Sequence, residues 1–183
     1  MVKSRPLVLR DEASAKALLA AAGIVVPRGE TAPGLAALEI GALSRPFVLK
    51  GLGFAHKTEA GAVRLGLSSL DGQVPIAGAV GYLAEEMVTG IVAELLVGLR
   101  RDPVYGATLT VGFGGVTAEL LADTQTLVLP VTGPDVEAAL RRLRLWPLLD
   151  GYRGRQKADV AAVVSAVMAL QSVMVDRAEI EEI

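Results

Sequence analysis

Phe47-Val-Leu-Lys50-Gly-Leu-Gly-Phe-Ala-His56-Lys57-Thr58-Glu59-Ala-Gly61 is the stretch around which the rest of this chain is read. It opens as an apolar, strand-like run that ends on a lysine. It continues as a glycine-bearing loop that presents His56 beside Lys57. Lysine is a mobile point charge suited to phosphate, and exposed glycine N–H groups add anion-binding dipoles. A neutral imidazole can attack a phosphoryl group, because its pKa lies near physiological pH. On spacing alone a second reading stands beside this one. Lys50 is then a strand-end lysine with its head in water, and His56 an ordinary loop residue.

Outward from this stretch, residues 46–52, 62–67, 80–87, 91–98, 107–111 and 126–129 are short, partly β-branched runs bounded by Gly or Pro, which predicts strands. Residues 11–22 predict a helix with Asp11 and Glu12 in its first turn and Gly23 as its stop. Residues 31–44 are rich in Ala, Gly and Leu and predict a second helix around 35–43. In 135–145, Val136, Ala139, Leu140 and Leu143 share one helical face, while Glu137, Arg141, Arg142 and Arg144 share the other. Residues 159–174 predict a last helix, with Asp159 near its start, so apolar that it is expected to be buried. Sheets flanked by helices with mixed connections give an α+β (or α/β) class.

Composition narrows the function classes. A length of 183 residues fits one domain or two small lobes, and a hydrophobic share of 52% excludes intrinsic disorder. Only 4% is aromatic, so the core must be aliphatic. The longest uncharged runs, 160–175 and 103–118, fall short of the roughly 20 apolar residues of a spanning helix, so no membrane partner is expected. The net charge of −2 offers no basic field for nucleic acid. Without cysteine there is no disulfide, thiolate metal site or Cys nucleophile. Residues 1–10 carry no signal-peptide core, which makes the cytoplasm the expected compartment. His56 is the only histidine, and no GxGxxG, Walker, GxSxG or HExxH pattern is present.

A second cluster is Arg101-Asp102-Pro103-Val-Tyr-Gly106 followed by Gly112-Phe-Gly114-Gly115. The first reads as a turn between strands, the second as a strand end where backbone can approach a ligand closely. Both also read as ordinary β-turns. Glu94 and Glu119 lie in apolar segments and face either a cleft or solvent.

Taken together, these segments resemble the ATP-grasp module of NDP-forming acyl-CoA synthetases, the β subunit or β-like domain of ADP-forming acetyl-CoA synthetase. The matching motifs are Phe47–Lys50, His56–Gly61, Glu86-Met87-Val88, Glu94-Leu-Leu-Val-Gly98, Arg101–Gly106, Gly112–Gly115 with Glu119, and Pro147-Leu-Leu-Asp-Gly151-Tyr-Arg153-Gly154. The resemblance implies an ATP-grasp-like fold in two lobes, with mixed or antiparallel sheets flanked by helices. A small lobe would take residues 30–83, and the second 1–29 with 84–183. It implies the reaction acyl-CoA + ADP + phosphate ⇌ acid + CoA + ATP, with His56 as a phosphoryl carrier. Lys50 and Lys57 would supply charge to phosphates, and Glu86, Met87 and Val88 would form the hinge that holds adenine. Gly114 and Gly115 would line the phosphate end, with Glu94, Asp102 and Glu119 as further cleft residues. ATP or ADP and Mg²⁺ are the implied cofactors, the metal ligands being expected in an Asp-x-Asn-Pro motif after Ile183. A CoA-binding subunit or domain of the same enzyme is the implied partner, in an oligomer. The chain departs from the pattern at Ala62, Ala93 and Leu127, and between 67 and 84 it is shorter, so a capping helix is expected to be missing. These departures keep open a degenerate, non-catalytic domain that binds a ligand or partner, as in synthetase-like regions fused to some protein acetyltransferases. A purely structural subunit is the third reading.

Overall fold

The computed structural model describes residues 8–54, 60–115 and 118–183. The chain divides into two units. The first runs up to Ala21 and resumes over Val25–Thr89; the second holds Ala22–Ile24 and Gly90–Ile183. The N-terminal helix thus groups with residues 25–89, where the expected division had set it with 84–183.

In the first unit, α1 (Glu12–Ala21) is followed by β1 (Gly29–Ala32), β2 (Phe47–Leu52), β3 (Val63–Leu67) and β4 (Gly81–Glu86). The strands form one antiparallel sheet in the order β1-β4-β2-β3. Because side chains alternate along a strand, the β2–β4 register sorts this sheet into two faces. Leu49 lies opposite Ala84 and Gly51 opposite Tyr82, whereas Val48 lies opposite Glu85 and Lys50 opposite Leu83. The first set faces a core in which Phe47, Leu49 and Ala84 are wholly buried, with Leu38, Leu43 and Ile76 packed against them, so two of the few aromatics, Phe47 and Tyr82, join the expected aliphatic filling. The second set puts Lys50 and Glu85 on the opposite face.

The expected helix over 35–43 is absent; only a 3-10 turn, Leu35–Ala37, forms there. In a helix, residues five apart point about 140° away from each other. Leu38 and Leu43 could not then reach one core, yet both are buried in it. Residues 68–80 carry no helix, in line with the short segment. They are held down by the Ile76 N–H, which donates to the Tyr82 hydroxyl at 2.9 Å.

The second unit contains β5 (Leu95–Asp102), β6 (Gly106–Phe113), α2 (Ala118–Leu121), β7 (Thr124–Val128), α3 (Gly133–Arg141), α4 (Trp146–Leu149) and α5 (Val160–Asp176). The strands make an antiparallel meander, β5-β6-β7. The predicted strand at 91–98 begins only at Leu95. Leu99, Leu109, Val111, Val136, Ala139 and Val167 are wholly buried, so α3 and α5 pack on one face of this sheet. α3 starts on a capping box between Thr132 and Asp135. α5 is capped by Asp159, whose side chain accepts from the Ala162 N–H. Its composition predicted full burial, but only Val167, Leu170, Gln171 and Met174 are buried. Among the described residues no helix is long and apolar enough to cross a membrane. Residues 181–183 pair antiparallel with the free edge of β5, through Leu99 with Ile183 and Arg101 with Glu181. Arg101 locks this segment down by donating to the carbonyls of Met174, Arg177 and Ile180.

Candidate functional site

Lys50 sits on β2, one of the two inner strands of the first sheet, on the face away from the core. α1 brings Glu12 and Lys16 to the same place, four residues apart and hence on one side of the helix. The result is a box of charges. Lys50 donates to Glu12 at 2.6 Å and also pairs with Glu85. Lys16 pairs with Glu12 at 2.8 Å and with Glu85. Glu85 is the most enclosed member, its side chain 6% exposed, against 18–21% for the other three. Burial alone would lower the pKa of the Lys50 ammonium, but the hydrogen bonds to Glu12 and Glu85 outweigh it and hold it above its ordinary value. The lysine is therefore charged, as a phosphate ligand must be, but two carboxylates already share its charge. A cleft of 460 Å³ beside α1 and β1, lined by Ala13, Lys16, Arg28, Leu83 and Glu85 among others, reaches this box.

At the end of β4, Glu86 is pinned by its side chain. Its Oε1 accepts from Arg28 Nη2 at 2.5 Å, Arg28 Nε at 3.1 Å and the Ser44 N–H at 3.0 Å. The Arg28 guanidinium first, and then the Ser44 N–H, hold its pKa at about 2. The Glu86 N–H donates to the Arg28 carbonyl and the Met87 N–H to the Pro46 carbonyl, so both donors are used inside the unit. Val88 is exposed. The boundary between the two units falls directly after these residues, at Thr89–Gly90.

In the second unit the structure brings together Glu94, Gly114 and Gly115. The Gly114 N–H donates to the Glu94 carbonyl at 2.8 Å. Gly115 has φ +77°, and a Cβ there would lie 3.1 Å from Glu94 Oε2. The left-handed backbone is what favours glycine in this turn, and a larger residue would also push the Glu94 carboxylate aside. The preceding Gly112 is equally constrained: a Cβ would fall 2.6 Å from Thr124 Cγ2.

Asp102 does not join this group. Glu94 and Gly114 flank the Leu95–Phe113 end of the β5–β6 hairpin, and Asp102 stands opposite Gly106 at the other end. Seven strand steps of about 3.3 Å separate the two ends, roughly 23 Å. Its Oδ1 accepts from the Tyr105 and Val104 N–H groups, which lower its pKa and make it the clasp of the hairpin turn. His56 and Lys57 lie outside the described residues, and Glu119 is placed only as a backbone position in α2. Among the described residues no group of three or more His, Asp or Glu side chains is placed to hold a metal ion, so Glu94 alone does not make a Mg²⁺ site.

Sequence reasoning missed Glu12, Lys16, Glu85 and Arg28. The Glu12–Lys16 spacing is legible as a helical ion pair. The link from either of them to Lys50 depends on long-range register and is not.

Comparison with known proteins gives a consistent result. The family model described as an ATP-grasp domain matches residues 2–183. The ADP-forming acetate–CoA ligase I of Archaeoglobus fulgidus is 31% identical over 152 residues, covering 75% of this chain and 22% of the ligase. The β subunit of the ADP-forming acetate–CoA ligase I of Pyrococcus furiosus is 27% identical, covering 99% of this chain and 84% of that subunit. A dinucleotide forming acetyl-coenzyme A synthetase 1 of Ca. Korarchaeum cryptofilum, solved with coenzyme A and Ca-AMPCP, superimposes with a TM-score of 0.82 at 28% identity, over 94% of this chain and 83% of that one. In another structure of that synthetase, with coenzyme A and Mg-AMPPCP, the phosphohistidine segment points towards the nucleotide binding site. The chain spans only about a quarter of the length of the first curated relatives it matches.

Proposed function

Because this chain belongs to the ATP-grasp domain family, with the fold of ADP-forming acetyl-CoA synthetases, we propose that it is the nucleotide-binding module of an ADP-forming acyl-CoA ligase. The observation that carries this reading is the family match over residues 2–183, in which Lys50 is a charged lysine on an inner strand of the first unit. Its substrates are ADP or ATP and a phosphoryl group delivered by a CoA-binding partner subunit or domain.

In this reading an imidazole nitrogen of His56 forms a bond to phosphorus as the bond to the partner's phosphohistidine breaks, and an ADP β-phosphate oxygen then takes the group from His56. Lys50 and Lys57 neutralise the phosphates, since phosphoryl transfer depends on positioning and charge. Adenine meets the backbone around Glu86–Val88, and Gly114 and Gly115 admit the phosphate end. Mg²⁺ would screen the phosphates, and the described residues do not by themselves hold it. A chain continuing past Ile183 in the register of 181–183 would run along β5 towards Leu95 and Glu94.

The test is a thermal-shift titration of the chain with ADP and Mg²⁺, followed by labelling with the partner, acetyl-CoA and ³²P-phosphate. Ligand at 100 times its Kd adds about 2.7 kcal/mol of stability. Wild type is expected to label and His56→Ala to stay unlabelled; equal labelling removes His56 as the carrier. A second reading, a non-catalytic binding domain, is favoured by the pairing of the Lys50 ammonium with two carboxylates in its charge box. It predicts no labelling of either protein.

A further inference from the structure

We infer that α1 is a latch on the phosphate lysine, with the Glu12 carboxylate standing where a nucleotide phosphate must later go. The inference rests on the nucleotide reading of Lys50 given above, and adds to it a self-inhibiting contact. An ammonium group has three N–H donors. Two of those on Lys50 point at carboxylates, Glu12 at 2.6 Å and Glu85. A phosphate approaching that lysine meets two negative charges within contact distance of its target, and one of them must withdraw.

The two carboxylates are not equally able to do so. Glu85 is built into β4, on the strand adjacent to Lys50, and its side chain is almost fully enclosed. Glu12 lies in the first turn of α1, and no residue of α1 is fully buried. Ala13, Ala15, Leu18 and Leu19 of α1 are half-buried, so packing as well as charge holds the helix, but Glu12 lies in its terminal turn, where local opening costs least. When Glu12 leaves, Lys16 and Lys50 each keep their pairing with Glu85. Lys50 keeps one carboxylate partner and turns a donor towards the incoming anion.

The consequence is reciprocal: nucleotide loosens α1, and a fixed α1 weakens nucleotide binding. The experiment is isothermal titration of the chain with ADP and Mg²⁺, comparing wild type with Glu12→Gln, which keeps the shape of the side chain and removes its charge. Glu12→Gln is expected to bind about five- to tenfold more tightly, within the usual range of coupling between sites. Equal or weaker binding by Glu12→Gln, with wild type binding normally, overturns the latch and leaves the nucleotide reading intact. Absence of binding in both proteins overturns both readings. Should Glu12→Gln fail to fold, amide hydrogen exchange across α1 in wild type decides: faster exchange with ADP and Mg²⁺ supports the latch, and unchanged or slower exchange refutes it.

Discussion

In the first unit the sheet face opposite the aliphatic core carries Val48, Lys50, Leu83 and Glu85, with the Glu12 and Lys16 pair of α1 upon it. In the second unit the corresponding face carries Leu96, Thr110, Gly112, Thr126 and Val128, with Thr110 and Thr126 in cross-strand contact at 3.2 Å. Both sheets bury their other face in mainly aliphatic side chains, joined in the first by Phe47 and Tyr82. The difference lies in what is spared from packing. One sheet fixes a point charge among other charges; the other presents hydroxyl and apolar side chains, with Leu96 and Val128 exposed. Of the two faces, only the first holds a cation at a defined place, which is what the proposed function asks of Lys50.

The comparison breaks first if the two cores are not equivalent. Leu49 and Leu109 are both wholly buried. Leu49→Ala and Leu109→Ala are each expected to cost about 3 kcal/mol in urea unfolding, the usual range for a buried leucine. A loss below about 1 kcal/mol in one of them would mean that its sheet is not packed as described. The opposite faces should then diverge. Glu85→Ala leaves two lysines sharing Glu12 at an enclosed position and is expected to cost about 2–3 kcal/mol. Thr126→Ala on the second sheet is expected to stay within about 0.5 kcal/mol of wild type. Equal costs would show that the charge box is a surface feature of no structural weight.

Much of this architecture is legible in the sequence because local rules set it. Gly and Pro bound the strands, Asp159 caps α5, and the apolar stripe of α3 falls where its period puts it. The failures have long-range causes. Leu38 and Leu43 are apolar at a spacing that suits several conformations, and only the core they share excludes a helix. Ile91, Val92 and Ala93 look like strand, yet the β5 register begins at Leu95 because that residue faces Phe113. α5 is apolar on all sides but meets other elements along one side only. For the site, the glycines around Glu94 could be located from composition, since a close approach demands them. Asp102, beside a proline in a turn, looked equally chemical, and its carboxylate instead closes its own hairpin. Nothing local in Phe47–Leu52 shows that Lys50 meets Glu12 and Glu85.

A small, pH-dependent effect is expected at Glu86, where the same sheet carries an ion pair at its solvent edge instead of in the box. Arg28 and the Ser44 N–H hold its carboxyl at about 2, against an ordinary value of 4.5. A folded-state pKa below the unfolded one means that the stabilisation is complete above about 4.5 and is lost as pH falls towards about 2. Glu86→Gln should therefore be slightly less stable than wild type at neutral pH, and the gap should close through that acid window. Solvent screens this pair, so the gap should also shrink with added salt. The contrast with Glu85, one residue earlier, sharpens the comparison. Alternation turns the two side chains to opposite faces, so one carboxylate closes the box and the other ties Arg28 and Ser44 to the end of β4. If the difference between wild type and Glu86→Gln is the same at acid and neutral pH, the ion pair is not what holds that strand end, and the backbone bonds from Glu86 and Met87 to Arg28 and Pro46 must carry it.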